Sequence, residues 1–131
     1  MHSNFNFSKN SLKNMEGVDD RLVKLAHLAL KYTRVDFGIP NTGGLRDEDM
    51  QYQLFLKDKS QCDGTIKKSK HQYGKALDFF AYKDKVTYER IYMLEVAFAF
   101  LKASRELDIR IDWGGFWNNF EDLPHIELIE E

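Results

Sequence analysis

The sequence predicts an α+β fold, a small and mostly antiparallel sheet with helices packed against it. Three observations predict it. Two long stretches carry apolar residues at helical spacing. Three or four short stretches alternate or run apolar as strands do. The C-terminal strands are separated by turns rather than by crossover helices, which favours antiparallel pairing.

In chain order, residues 19–32 form an amphipathic helix, with Leu22, Leu25, Ala26, Ala29 and Leu30 on one face and Asp19 and Asp20 at its positive end. His27 falls on the opposite, solvated side, and His2 lies in the N-terminal start. A strand over Val35–Ile39 stops at Pro40, and Asn41-Thr42-Gly43-Gly44 is a turn. Residues 47–57 read as a second helix capped by Asp47. Residues 59–75 read as a long loop, of the kind that is usually functional or disordered. Ala76–Tyr82, apolar and aromatic apart from Asp78, reads as one buried strand. The longest helix covers residues 88–107, with Ile91, Leu94, Phe98 and Leu101 expected on its buried face. Ile109–Trp113 and His125–Ile129 alternate as strands.

Composition bounds the function. The 131 residues contain no repeat or linker and suit a single domain over residues 1–131. With 19 basic against 21 acidic residues and a net charge of −2, the chain lacks the footprint of a general nucleic-acid binder. One cysteine, Cys62, excludes an internal disulfide framework and a Cys-rich zinc site, and is expected to be a free thiol without a role. The most apolar window, Ile91–Leu101, contains Glu95 and is far short of the roughly 20 residues a membrane span needs. No secretory signal is visible at the N-terminus.

The residues that could carry chemistry fall in two clusters. His71 precedes Asp78 by seven residues, about 10.5 Å on a helix or about 23 Å on a strand. Neither spacing brings both onto one metal ion, but a loop reversing at Gly74 and entering a strand would. A carboxylate inside an apolar run also needs a partner, and a metal is one. In the second cluster, Asp122-Leu123-Pro124-His125-Ile126-Glu127, a strand would put His125 and Glu127 on one face, with Asp122 reaching the same place from a turn. His71, Asp78 and His125 would then form a His₂Asp set with an open position, the arrangement of a catalytic zinc. Asp122 would be a free carboxylate beside a water whose pKa zinc lowers to roughly 7. On residue types alone, a satisfied core histidine in each place and surface acids is the simpler account of the same residues.

The spacing adds a resemblance. Ser69-x-His71-x-x-Gly74-x-Ala76-x-Asp78 resembles the SxHxxGxAxD motif of zinc D,D-peptidases and their phage endolysin relatives, and Asp122-x-x-His125-x-Glu127 is similar to their second motif. Gly44-Leu45-Arg46 with Gln51 looks like their GxR…Q segment. These pieces cover roughly residues 44–128, and Phe7-Ser8-Lys9-Asn10-Ser11 resembles the start of phage L-alanyl-D-glutamate endopeptidases.

The resemblance implies a fold like the hedgehog signalling domain and a zinc ion, Zn2+, held by His71, Asp78 and His125. It implies Asp122 as general base, with Glu121 and Glu127 as the rival acids within reach. It implies Arg46 as stabiliser of the oxyanion and Ser69, Glu127 and Gln51 in support, Glu127 by orienting a ligand histidine. Aspartate at 122 leans toward the endolysin branch, because glutamate is usual there in the D-alanyl-D-alanine dipeptidases.

The implied substrate is the stem peptide of bacterial peptidoglycan, cut at L-Ala–D-Glu by a monomeric protein that waits in the cytoplasm for a holin. A D-Ala–D-Ala carboxypeptidase or dipeptidase, and a catalytically silent wall-binding module of the same fold, are the alternatives. The connection from Asp112 to His125 is short, so a regulatory site found in the longer loops of relatives is not expected. Lys67, Lys68 and Lys70 flank the site and either meet an anionic polymer or are simply solvated. Trp113, Phe116 and Trp117 either line a groove or fill the core.

Overall fold

The alternation of side chains along short strands and the 3.6-residue period of the helices place the apolar residues in one core. The computed structural model describes residues 3–118 and 120–130, so His2 lies outside the described residues. The helices are α1 (Lys9–Asn14), α2 (Asp20–Tyr32), α3 (Glu48–Leu56) and α4 (Arg90–Leu107). The strands are β1 (Asp36–Gly38), β2 (Ala76–Asp78), β3 (Phe80–Tyr82), β4 (Val86–Thr87), β5 (Ile111–Trp113) and β6 (His125–Leu128). Short 3₁₀ turns cover Lys70–Tyr73 and Gly114–Phe116. The fold is α+β with antiparallel pairing, as the sequence predicts.

The sheets, the buried face of α4 and two short elements differ from expectation. The strands form two three-stranded sheets, ordered β1-β3-β4 and β2-β6-β5, rather than one. The single strand expected over Ala76–Tyr82 is therefore two strands in different sheets, joined through Phe79 alone. Phe79 donates its N–H to Pro124 O at 2.9 Å, and its ring is fully buried against Phe100 and Phe37. A continuous apolar run shows that both faces are covered, not which partners cover them.

The second difference lies in α4. Its buried face is Met93, Val96, Ala97, Phe100 and Ala103, whereas Ile91 and Phe98 are more than half exposed. Both stripes satisfy helical spacing. The one with small residues is buried: Ala97 and Ala103 lie in the same core as the equally small Ala26 and Ala29 of α2, the helix against which α4 packs. The short α1 and β4 were not expected from the periodicity, since neither is long enough to show a period.

Helix ends follow their caps. Asp47 accepts from Met50 N–H at 2.7 Å and starts α3, as predicted. Asp19 accepts from Arg21 N–H at 2.9 Å at the start of α2, and its carboxylate also receives the Arg21 guanidinium and Lys75 Nζ at 2.6 Å. The Arg21 hydrogen bonds, with Lys75 beside them, hold the Asp19 carboxyl well below its ordinary value of 3.8. A depressed carboxyl stabilises the fold above the unfolded-state value and stops doing so as pH falls through the folded one. Asp19→Ala is expected to cost about 1–2 kcal/mol, the usual range for a lost cap. Urea unfolding should show that cost at pH 7 and a smaller one below pH about 3; equal costs at both would refute the assignment.

Candidate active site

The site is built where β2 pairs with β6. In that register Asp78 lies directly opposite His125, and Ala76 opposite Glu127. Strand alternation then sends Leu77, Ile126 and Leu128 into the core, fully or almost fully buried, and Asp78, His125 and Glu127 to the other face. His71 arrives from the 3₁₀ turn just before β2. Ser69 caps that turn, accepting from His71 N–H at 3.2 Å, and Gln72 completes a capping box through Ser69 N–H. Gly74 closes the turn with φ +69°, a left-handed conformation that glycine adopts without strain. This is the reversal that the spacing of His71 and Asp78 requires.

Three atoms converge. His71 Nε2 lies 3.2 Å from Asp78 Oδ1, His125 Nδ1 lies 3.0 Å from the same oxygen, and the two ring nitrogens are 3.3 Å apart. Ligands about 2.0–2.1 Å from one tetrahedral ion stand about 3.3 Å from each other, so the triangle has the size that zinc needs. The tautomers agree. His71 Nδ1–H donates to Gly44 O at 3.0 Å, and His125 Nε2–H donates to Glu127 Oε1 at 2.8 Å. Each outer partner accepts a proton, so each inner nitrogen presents a lone pair when the ring is neutral.

Electrostatics points the same way. Burial alone would hold the His125 imidazole below its usual value, but the Asp78 and Glu127 carboxylates outweigh it and lift it to about 9. Burial would raise the Asp78 carboxyl, but His71 and His125 keep it well below the ordinary range. Three lone-pair atoms facing one another call for positive charge between them, from a proton or a metal ion. Among the described residues, His71, Asp78 and His125 form the group with the spacing to hold a metal.

The other carboxylate oxygen of Asp78 receives Arg46 Nη2 at 3.0 Å. Arg46 is almost fully buried and also donates from Nε to Thr42 O at 2.7 Å and from Nη1 to Gln51 Oε1 at 3.0 Å. Gln51, fully buried, donates on to Ser60 Oγ and Cys62 O, each at 2.8 Å. The GxR…Q residues are thus a hydrogen-bonded chain running from Asp78 to the 59–68 loop.

Asp122 Oδ2 stands 4.0 Å from His125 Nδ1, beside the triangle and outside it. Burial, with the nearby Asp78 charge, raises its carboxyl above the usual value. The rival acids are engaged elsewhere: Glu127 holds His125 and Lys70, and Glu121 pairs with Arg90 at 2.6 Å. Asp122 N–H donates to Gly114 O at 3.0 Å. A Cβ on Gly114 would lie 2.2 Å from Asp122 O, which no real contact allows. Gly114→Ala is therefore expected to shift Asp122. A shift of about 1 Å costs about 10²-fold in turnover, and metal content should stay unchanged. Unchanged turnover would show that the backbone absorbs the clash.

These groups open into a cleft of about 580 Å³, a volume in the range of small-ligand sites. Lys67, Lys68 and Lys70 line it, so the structure brings the flanking lysines to the site. Of the three aromatics left open between groove and core, Trp117 lines the cleft with its ring 5.2 Å from His125, and Trp113 is buried core. Phe116 is largely exposed and packs edge-on against Trp113. His27 is exposed on α2, as expected, with Phe7 edge-on against it at 5.2 Å. Lys59, Tyr88 and Phe120 also line the cleft and escape sequence reasoning. They belong to no motif and reach the cleft only through tertiary packing. No helix among the described residues is long and apolar enough to cross a membrane.

Comparison with known proteins agrees with this geometry. The family described as phage L-alanyl-D-glutamate peptidase matches residues 3–129. The L-alanyl-D-glutamate peptidase of Escherichia phage T5 is 35% identical over 132 residues, covering 95% of this chain and 89% of the phage protein. The crystal structure of the Serratia marcescens L-Ala D-Glu endopeptidase ChiX superposes with a TM-score of 0.82 at 32% identity, covering 95% of this chain and 90% of that one. A match that runs almost from end to end, repeated in sequence and in fold, means that this chain belongs to the phage L-alanyl-D-glutamate peptidase family.

Proposed function

We propose that the protein is a zinc-dependent endolysin-type peptidase, a single catalytic domain that hydrolyses the L-Ala–D-Glu bond of the peptidoglycan stem peptide. The observation that carries it is the triangle of His71 Nε2, Asp78 Oδ1 and His125 Nδ1, sized for one tetrahedral ion, in a chain of this family. Those three residues would hold the zinc. When bound, it supplies an acidified water and a Lewis acid for the scissile carbonyl.

The chain's own residues do the rest. Asp122 accepts the proton of the attacking water as its oxygen bonds to the L-Ala carbonyl carbon. It then delivers that proton to the D-Glu nitrogen as the C–N bond breaks. Burial favours this role, because a carboxylate that is harder to ionise is a stronger base. Arg46 fixes Asp78 and, with three of its five N–H donors used, keeps two for the carbonyl oxygen as negative charge develops there. Glu127 fixes the His125 ring, Ser69 caps the turn that carries His71, and Gln51 anchors Arg46.

In this reading the protein acts as a monomer on the wall after release from the cytoplasm through a holin, without nucleic acid or membrane insertion. The test is zinc stoichiometry on the purified chain together with product analysis on a defined muropeptide. One zinc per chain and a new D-Glu amino terminus are expected. Release of terminal D-alanine would move the assignment to a D-Ala–D-Ala peptidase, and zinc binding without turnover to a silent wall-binding module.

A further inference from the structure

The chain is slightly acidic overall, at −2, yet its cleft is not. Three carboxylates line the cleft, Asp78, Asp122 and Glu127, against five cationic side chains. Arg46 and Lys70 are paired with Asp78 and Glu127. The unmatched positive charge is on Lys59, Lys67 and Lys68. Lys68 Nζ lies 6.0 Å from the Tyr73 ring centre, and the ammonium groups of Lys59 and Lys67 have no acceptor among the described residues.

The loop that carries them is tethered. Gln51 holds Ser60 and Cys62, and Gln72 Nε2 donates to Gly64 O at 2.9 Å. Asp63 Oδ1 accepts from the backbone N–H of Thr65, Ile66 and Lys67. The lysines therefore stand on a backbone fixed to the site, which lowers the entropy cost of using them to bind. Trp117, Phe120 and Tyr88, which come from other segments of the chain than the lysine loop, line the same cleft.

The proposed substrate has the same asymmetry. D-Glu is joined onward through its γ-carboxyl, so its α-carboxylate is free, on the carbon bonded to the scissile nitrogen. The other ionised carboxylates also lie in this leaving half. The acyl half is L-Ala on the lactyl ether of a sugar and carries none.

We infer that the 59–68 loop is the leaving-half subsite and that Lys59 and Lys67 read the free α-carboxylate of D-Glu, with the uncharged acyl half against the aromatic residues of the cleft. This rests on the peptidase reading above. Charge complementarity of this kind sets specificity and orientation more than raw affinity.

The test compares kcat/KM on two muropeptides that differ only at D-Glu, one with the α-carboxylate and one with the α-carboxamide. The wild type is expected to prefer the carboxylate by about two- to tenfold, the worth of one or two solvent-exposed ion pairs. Lys59→Gln/Lys67→Gln should erase most of that preference. Lys83→Gln/Lys85→Gln, with the same charge change outside the cleft lining, should keep it. The preference should also shrink as salt rises, since these lysines are exposed.

An unchanged ratio in Lys59→Gln/Lys67→Gln, equal losses on both substrates, or a wild type that cuts both equally well would overturn the inference while leaving the peptidase reading intact. A wild type that cuts neither would overturn both.

Discussion

Asp122→Asn is expected to lower turnover by about 10²–10⁴-fold, the usual worth of a general base, with zinc content unchanged. Asparagine has nearly the same shape and keeps the backbone contacts of this position, Asp122 N–H to Gly114 O and His125 N–H to Asp122 O at 3.2 Å. It cannot take a proton. The carboxylate oxygen lies 4.0 Å from His125 Nδ1, beside the His71–Asp78–His125 triangle and too far to share it. Loss of activity and loss of metal should therefore separate in this variant. Kinetics on a muropeptide and metal analysis of the same preparation check it. Activity within a few-fold of wild type would pass the proton to another group, and Glu127 could serve only by abandoning His125 and Lys70.

His71→Ala should give the opposite pattern, with metal and activity lost together. The chemistry supplied by a catalytic metal is worth several kcal/mol, and at about 1.4 kcal/mol per decade the loss is about 10³-fold or more. The substitution leaves Asp78 facing His125 alone and removes the proton that Gly44 O accepts in the buried site. A folded protein of near-native melting temperature that binds no zinc would confirm the role. One that still binds a full equivalent would remove His71 from the ligand set. If alanine does not fold, His71→Gln retains a polar side chain of similar reach for the same measurement.

Much of the site was legible because its chemistry fixes both residue type and spacing. A reversal after His71 needs a residue that tolerates positive φ, and Gly74 stands there. Small Ala76 faces Glu127 across the strands, and the interval from Asp122 to Glu127 is short enough to be one turn and one strand. The same logic identified the cap at Asp47, whereas the pattern places Asp19 in the first turn of its helix and it is instead the cap before it.

The features that were not legible depend on long-range pairing. The run Ala76–Tyr82 is apolar on both faces, so its pattern conceals the switch of sheets. Helix α4 is apolar around most of its circumference, and its packing partners, α2 and the strand side with Phe37 and Phe79, decide that Met93, Val96 and Phe100 go inside while Ile91 and Phe98 do not. The 59–68 loop gave no periodic signal. Its order comes from single side chains, Gln51, Asp63 and Gln72, that satisfy its backbone from outside or across a turn.

The passage through Phe79 has a thermodynamic consequence. Asp78 ends a strand of one sheet and Phe80 begins a strand of the other, while Phe79 itself is locked in the core between them. Local opening that releases Asp78 must therefore pull on both sheets, so the ligand face and the hydrophobic core melt as one cooperative unit. An ion held there does not rigidify a loop; it raises the unfolding free energy of the whole molecule, by about 2.7 kcal/mol at a hundredfold excess over its dissociation constant. Amide hydrogen exchange would then slow on loading as much in β1, β3 and β4, the sheet that holds none of the three residues, as in β2 and β6, which hold two of them.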